Sequence, residues 1–148
     1  MNLKVNHPIA QISTFLWLGF VFAISFMEAW LKFRAPGISV PLGLGIGQLV
    51  FGALNIMEWF FAFVIITTLL WTKENLFTKK TLLFLLAVLL LFIQSIWLLP
   101  ALDVRAVALI HGENLPESHL HFFYIGFEIV KVTALSLFGL KLYKTPTQ

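Results

Sequence analysis

Charged residues interrupt a segment near the C-terminus that is otherwise apolar enough to lie inside a membrane. Residues 121–131 include a carboxylate, Glu128, and an ammonium, Lys131. On a helix with 100° per residue, one face within an arc of roughly 80° collects His121, Tyr124, Glu128 and Lys131. An unpaired charge near the centre of a bilayer costs about 2.5 to 3.5 kcal/mol, so each charge needs a polar partner. This face therefore predicts a functional site.

Two more carboxylates lie in the first and second apolar segments. Glu28 precedes Lys32 by one helical turn, and Glu58 shares a helix face with Asn55 but has no counter-charge nearby on its own segment. By depth, all three glutamates fall in the half of the membrane away from the termini. We expect the carboxylates to face one another, with Lys131 or Lys32 as the partner of Glu58.

The chemistry of this cluster favours the binding or transport of a cation, a proton or a small polar solute. Carboxylates can exchange a proton for a cation, and a lysine between them keeps the empty site close to neutral. The predicted ligand-binding residues are Glu28, Asn55, Glu58, Tyr124, Glu128 and Lys131. The alternative is structural: Glu128 with Lys131 and Glu28 with Lys32 have the spacing of ion pairs that only fix helix register.

A second hypothesis is a metal-dependent membrane enzyme. Its ligands would be His121, Glu58 and Glu128, with Glu28 as a further donor, as in carboxylate sites of helical bundles. A metal ion is the one cofactor that these residue types suggest. Against this hypothesis, no Glu-x-x-His pair is present, and the histidines between 111 and 121 match no ligand motif, which favours solvated loop histidines.

A third hypothesis is an accessory subunit or assembly factor of a larger membrane complex. The third apolar segment is nearly featureless, which suits a surface that faces lipid or a partner. The expected partners are the lipid bilayer and either further copies of the chain or other membrane subunits. Nucleic acid is not expected, because Lys79-Lys80 is the only basic cluster in the sequence.

Composition sets the class of protein. The 148 residues are 59% hydrophobic, 16% aromatic and 11% charged, which is too apolar for a soluble domain of this length. The chain has no cysteine, which excludes disulfides, thiolate metal ligands and a cysteine nucleophile. We therefore expect a polytopic membrane protein.

The apolar runs predict a single all-α domain, an integral membrane four-helix bundle. The spans are predicted at about 12–33, 42–71, 81–99 and 118–142. The glycine-rich start of the second span, from Gly43 to Gly47, is expected to be irregular or closely packed. Pro100 is expected to end the third span, and a connection follows from Ala101 to Leu120. Asn114 is expected to cap the fourth helix, with Glu117 at its third position.

Basic residues predict the orientation. An even number of spans places both termini on one side, and that side holds the lysines Lys4, Lys73, Lys79, Lys80, Lys141 and Lys144. The opposite loops hold Lys32, Arg34 and Arg105, diluted by three acidic residues. Under the positive-inside rule both termini are cytoplasmic. The expected location is the inner (plasma) membrane of a bacterium.

Several positions resemble a known group of membrane proteins. They are the first-span end from Lys32 to Pro36, Val50-Phe51 in the second span, Pro100 followed by Arg105, and His121 at the polar start of the fourth span. In this order they resemble a family of small four-span proteins that comprises human transmembrane protein 205 and bacterial proteins of unknown function. The resemblance implies a four-helix membrane fold and no established chemistry.

Overall fold

The computed structural model describes residues 4, 5 and 7–144, with side chains described from 7 to 143. Four long helices form the molecule: α1 (Pro8–Arg34), α2 (Val40–Trp71), α3 (Lys79–Ile110) and α4 (Leu120–Lys141). Each is long and apolar enough to cross a membrane. These helices confirm the all-α, four-helix part of the prediction and indicate an integral membrane protein.

The two ends of the chain meet at one end of the bundle. Strand β1 (Lys4–Val5) pairs antiparallel with strand β2 (Tyr143–Lys144) just before α1 and just after α4. The prediction did not include this short ladder. The pairing places the described ends of the chain, Lys4 and Lys144, at the same end of the molecule, which we call the terminal end.

Local signals in the sequence fix several helix ends. Pro8 occupies the first turn of α1, where its missing N–H leaves no hydrogen bond unmade. The Ser39 side chain accepts a hydrogen bond from the Leu42 N–H and caps α2, and Thr78 caps α3 in the same way. Gly37 follows α1 in the left-handed region, with a φ of 82° that favours glycine.

Two helices are not regular along their length. Within α1, an α-helix at Pro8–Val21 widens into a π-helix at Phe22–Glu28, and the helix then ends through Ala29–Leu31 and a 3-10 turn at Lys32–Arg34. Within α3, an α-helix at Lys79–Ile93 is followed by a π-helix at Gln94–Leu98 and a second α-helix at Leu99–Ile110. Such wide turns inside helices are rare and are frequent at functional sites.

The prediction for the end of the third span was wrong. Pro100 does not end α3, which continues to Ile110 through half of the expected connection. The wide π-turn directly before Pro100 offers the reason, because it relieves the clash of the proline ring with the preceding turn and the loss of its N–H donor.

The predicted start of the fourth helix was also wrong. Asn114 is not its cap, because α4 begins at Leu120 after an irregular segment. The Pro116 carbonyl accepts a hydrogen bond of 2.6 Å from the Arg105 guanidinium, so this backbone group is held against α3 and does not begin a helix.

The four helices pack in a ring. α1 lies against α2 and α4, and α3 lies against α4 along its first half and against α2 along its second half. The Phe84 and Phe138 rings meet across α3 and α4, with centroids 5.4 Å apart. Large apolar side chains are fully buried between the helices: Trp17, Leu54, Ile65, Leu69, Phe84, Leu91, Leu135 and Phe138. Leu49, Ile56 and Phe63 point outward, as expected of a surface that faces lipid.

The glycine-rich start of α2 is helical and closely packed. A Cβ on Gly43 would overlap the Phe33 ring, and a Cβ on Gly47 would lie 3.1 Å from Lys32 Nζ. The lack of side chains at these two positions therefore lets the end of α1 lie directly on α2. The packing interpretation of this run is confirmed, whereas the irregular alternative is not.

A small polar cluster holds the terminal end together. His7 is buried, and its Nε2 atom lies 2.8 Å from Glu74 Oε1. Lys80 Nζ lies 3.0 Å from Glu74 Oε2. The hydrogen bond from His7, followed by that from Lys80, lowers the pKa of Glu74 below its ordinary value of 4.5. This terminal cluster joins the start of α1 to the turn between α2 and α3.

Candidate functional site

The ammonium of Lys131 lies at the centre of a fully buried polar network. Its Nζ atom is 2.5 Å from Glu58 Oε1, 3.1 Å from Glu128 Oε1 and 2.7 Å from Gln94 Oε1. A protonated lysine has three N–H donors and no acceptor, so three oxygens match its hydrogen-bonding capacity. The surroundings of Lys131 are therefore those of a charged ammonium.

Each of the four helices contributes to this network. Trp17 on α1 donates a 2.8 Å hydrogen bond from its indole N–H to Glu58 Oε1 on α2. Gln94 on α3 donates from Nε2 to Glu128 Oε1 on α4 at 3.0 Å. All five residues, Lys131 included, are at most 1% exposed. The central network, as we call these five residues, therefore lies out of contact with lipid.

The central network contains two carboxyl groups and one amino group. With every group ionised, two carboxylates face one ammonium and leave one net negative charge in a buried site. Glu128 Oε1 accepts from both Gln94 and Lys131, but Glu128 Oε2 is buried without a hydrogen-bond partner among the described residues. A buried charged oxygen that is left unpaired costs several kcal/mol. Within the described part of the chain, this oxygen is therefore the polar atom of the two carboxylates that the network leaves uncompensated.

Glu28 belongs to a second polar group and not to the central network. Lys32 Nζ contacts Glu28 Oε2 at 3.2 Å, as the i, i+4 spacing predicted. The ammonium also lies 5.5 Å from the centroids of the Phe33 and Phe51 rings, a distance typical of cation–π contacts. The predicted cluster of three glutamates is thus divided into two groups.

A cavity of about 160 Å³ opens beside Lys32, towards the end of the bundle opposite the termini. It lies where the end of α1, the glycine-rich start of α2 and the second half of α3 meet. Its lining consists mainly of apolar side chains and glycines: Ala29, Lys32, Phe33, Gly43, Leu44, Gly47, Phe51, Leu102, Ala106 and His121. His121 therefore lies with Lys32 and not with Glu58.

Tyr124 stands between the cavity and the central network. Its ring meets the Phe51 ring edge to face, with centroids 5.5 Å apart, and Phe51 lines the cavity. Its other neighbours are Ser25, in the π-turn of α1, and Glu128. Tyr124 is buried, with an exposed fraction of 5%, and it thus links the two polar groups.

Asn55 lies outside the central network. Its side-chain amide donates to Ser95 Oγ at 2.7 Å, and the Trp59 indole donates to the same oxygen at 3.0 Å. Ser95 in turn donates to the Leu91 carbonyl, so its hydroxyl is fully used. Asn55 is therefore part of a contact between α2 and α3, and its amide is directed to Ser95 and not to Glu58.

The proposed metal ligands are not brought together. Glu58 and Glu128 share Lys131 as a neighbour, whereas His121 is exposed at the cavity. Across the described part of the chain, no group of three or more histidine, cysteine, aspartate or glutamate side chains is arranged to hold a metal ion. A lysine within contact distance of both carboxylates suits an ion pair better than a metal centre.

The predicted site residues did not include three members of this region. Trp17 lies within the first predicted span, and its indole N–H needs an acceptor because the ring is buried. Ser25 gave no signal, because serine is common in membrane helices, where its hydroxyl can donate to a backbone carbonyl. Gln94 lies in the third span, which was expected to be nearly featureless, and its position opposite Glu128 explains why a span in lipid contains it.

The chain was compared with known proteins. It matches no protein-family model, no curated protein and no solved structure. The resemblance to the small four-span family stays a prediction.

Proposed function

We propose that this membrane protein binds a proton at the Glu58–Glu128 pair, or a monovalent cation in its place, as the binding step of transport. One observation carries the proposal: Glu128 Oε2 is buried and unpaired within a network of two carboxylates and one ammonium. Addition of one positive charge at this oxygen makes the network neutral, which removes the cost of an excess charge in a low-dielectric site.

Lys131 sets the affinity of such a site. Without it, two buried carboxylates would hold a proton too tightly to release it, because like charges at close range cannot both ionise. With it, one carboxylate is compensated and the second is available for exchange. The shared ammonium therefore supports a site that binds one charge and releases it again.

The test is infrared spectroscopy of the protein in lipid vesicles as the pH is varied. We expect the carbonyl band of a protonated carboxylic acid to appear and disappear reversibly with pH. Glu128→Gln should abolish this band, because Glu128 carries the unpaired oxygen. Glu113→Gln, at an exposed position in the irregular segment before α4, is the matched control and should leave the band unchanged.

Two outcomes would contradict the proposal. One is a spectrum of the wild-type protein without a titrating carboxyl band. The other is a band that persists unchanged in both Glu58→Gln and Glu128→Gln. In either case the central network would be a device that fixes helix register. A shift of the titration by sodium or potassium would identify a cation as the competitor of the proton.

We further propose that the terminal end of the bundle lies in the cytoplasm, at the inner membrane of a bacterium. The lysines Lys73, Lys79, Lys80 and Lys141 flank the helices at this end, and the positive-inside rule supports the assignment. Two more lysines that entered the prediction, Lys4 and Lys144, have side chains outside the described residues. A reporter enzyme that works only in the cytoplasm should be active when it is fused to the C-terminus. A reporter enzyme that works only outside the cytoplasm should be inactive in the same fusion.

A further inference from the structure

We propose that the cavity beside Lys32 is a water-filled vestibule that supplies the proton to Glu128 through Ser25 and Tyr124. The inference rests on the proposed function, because it names the route to that same site. In this route Glu28, Ser25 and Tyr124 are positioning residues. The proton enters at the end of the bundle opposite the termini.

The vestibule has the size and the polar groups to hold water. Its volume of about 160 Å³ exceeds several-fold the roughly 30 Å³ that one water molecule occupies in the liquid. The lining includes the Lys32 ammonium, which is bonded to one Glu28 oxygen and has further N–H donors available. The Lys32 and His121 side chains give water in this cavity polar partners, whereas a cavity lined by apolar groups alone stays dry.

A line of unpaired oxygens leads from the vestibule to the central network. Glu28 Oε1, Ser25 Oγ and Glu128 Oε2 are all buried, and none has a hydrogen-bond partner within the part of the chain that the structure describes. Buried polar atoms are rarely left unpaired, and bridging water is their usual partner. Three such atoms in one region, two of them on residues beside the Tyr124 hydroxyl, indicate that bridging water completes their hydrogen bonds.

The geometry of α1 and α4 places the members of this line in order. Lys32 at the vestibule contacts Glu28, and Ser25 lies three residues earlier in the same π-turn. Tyr124 neighbours both Ser25 and Glu128. A hydroxyl donates and accepts at once, so Ser25 and Tyr124 can pass a proton along bridging water to Glu128 Oε2. Each transfer forms one O–H bond and breaks another, with no net change in the relay groups.

The core on the other side of the network is mainly apolar, and the Thr14 hydroxyl within it donates to the Ala10 carbonyl of its own helix. Between the central network and the terminal end, Ile65, Leu69, Phe84 and Phe138 are fully buried and pack together. Tightly packed apolar side chains leave no path for water. The vestibule therefore gives access to Glu128 from the end opposite the termini.

The first experiment measures how fast the buried carboxylic acid exchanges its proton for deuterium. Vesicle-embedded protein is transferred to deuterated buffer, and the shift of the infrared carbonyl band is followed over time. We expect Tyr124→Phe and Ser25→Ala to slow the exchange by about tenfold or more. Each substitution removes a hydroxyl that passes the proton between bridging water molecules and Glu128. The pH at which the band titrates should change little. Tyr143→Phe, the other tyrosine of the chain, should exchange at the wild-type rate.

The second experiment tests the water in the vestibule and does not depend on any titration. The chain has no cysteine, so single cysteines report on their own surroundings. Ala106→Cys, in the wall of the vestibule, should react with a water-soluble, membrane-impermeant thiosulfonate reagent. Ala87→Cys, fully buried on the same helix, is the control and should not react.

The outcomes separate the two proposals. Loss of the titrating band in the wild-type protein, together with a reactive Ala106→Cys, would overturn the proposed function and leave only a hydrated cavity. A normal band with wild-type exchange rates in both Tyr124→Phe and Ser25→Ala would overturn the relay and leave the binding site. An unreactive Ala106→Cys would overturn the vestibule.

Discussion

The protein contains two clusters built from the same residue types, and their surroundings give them different roles. The terminal cluster of His7, Glu74 and Lys80 lies at the bundle end, where the glutamate and lysine side chains are each 23% exposed. The central network also surrounds a lysine with carboxylates, but its side chains are at most 2% exposed. Exposure decides the difference, because water screens the terminal charges whereas the central charges depend on one another.

The balance of charge differs as well. In the terminal cluster one glutamate has two hydrogen-bonding neighbours, and both of its oxygens are used. In the central network two glutamates share one lysine, and one oxygen of Glu128 is left over. The first arrangement pairs both oxygens of its carboxylate, although the His7 Nδ1 atom is buried without a partner among the described residues. The second leaves one carboxylate oxygen unpaired, which is the feature on which the proposed binding site rests.

The largest expected effect is that of Lys131→Met. It leaves two carboxylates buried without a counter-charge, and breaking a buried ion pair in this way destabilises a protein by about 3 to 5 kcal/mol. The same change in the terminal cluster, Lys80→Met, should reduce the free energy of unfolding by no more than about 1 kcal/mol. Unfolding in mixed detergent micelles, followed by circular dichroism, measures both. Equal losses would show that burial does not distinguish the clusters.

Trp17→Phe should have the next largest effect. The ring still fills the core, but Glu58 loses a hydrogen bond to a charged acceptor, worth about 1.5 to 3 kcal/mol. Trp71→Phe, at a position that is 90% exposed, is the matched control and should change the unfolding free energy little. If the two variants were equally stable, the indole N–H would have no part in holding the central network.

Glu128→Gln should be much milder than Lys131→Met. The amide oxygen still accepts from Lys131 and Gln94, and the change removes the excess negative charge, so we expect a difference of about 1 kcal/mol or less from the wild-type protein. The same unfolding measurement at neutral pH decides this. A loss as large as that of Lys131→Met would mean that both carboxylates are needed as charges, and the network would then be structural.

Glu74→Gln should have the smallest effect and the clearest pH dependence. The pKa of Glu74 is lowered on folding, so its carboxylate stabilises the protein above the ordinary value of 4.5, and this contribution is lost as the pH falls through the lower, folded pKa. At neutral pH we expect a loss of about 1 kcal/mol or less. In acid, well below 4.5, the unfolding temperatures of variant and wild type should converge. A gap that stays constant with pH would exclude an ionic role.

Chemical reasoning on the sequence found the centre of the site but not its boundary. Glu58 was expected to pair with Lys131 or Lys32, because a carboxylate deep in a membrane needs a cation, and the structure has the pair with Lys131. Asn55 was included because it shares a helix face with Glu58, yet it bonds to Ser95. A face on a helix is broad enough to meet two neighbours, and periodicity does not say which residue meets which.

The predicted end of α3 and the predicted start of α4 were wrong because a wide turn and a tertiary contact changed the local backbone. Pro100 normally ends a helix, but the π-turn at Gln94–Leu98 lets α3 continue past it. Asn114 has the sequence of a helix cap, but the Arg105 guanidinium holds the Pro116 carbonyl elsewhere. Both errors arise because propensities describe local backbone energy, whereas hydrogen bonds from distant residues select the final conformation.

By itself, the sequence determined that four apolar helices form the molecule and that its buried charges must meet, because hydrocarbon tolerates neither an unpaired backbone nor an unpaired charge. Only the tertiary structure decided which charges meet. It assigned Trp17 and Gln94 to the central network, paired Glu28 with Lys32 and left Glu128 Oε2 without a partner among the described residues. The physical reason is that the rotation of each helix about its axis is set by packing against its neighbours, and that packing depends on all four helices together.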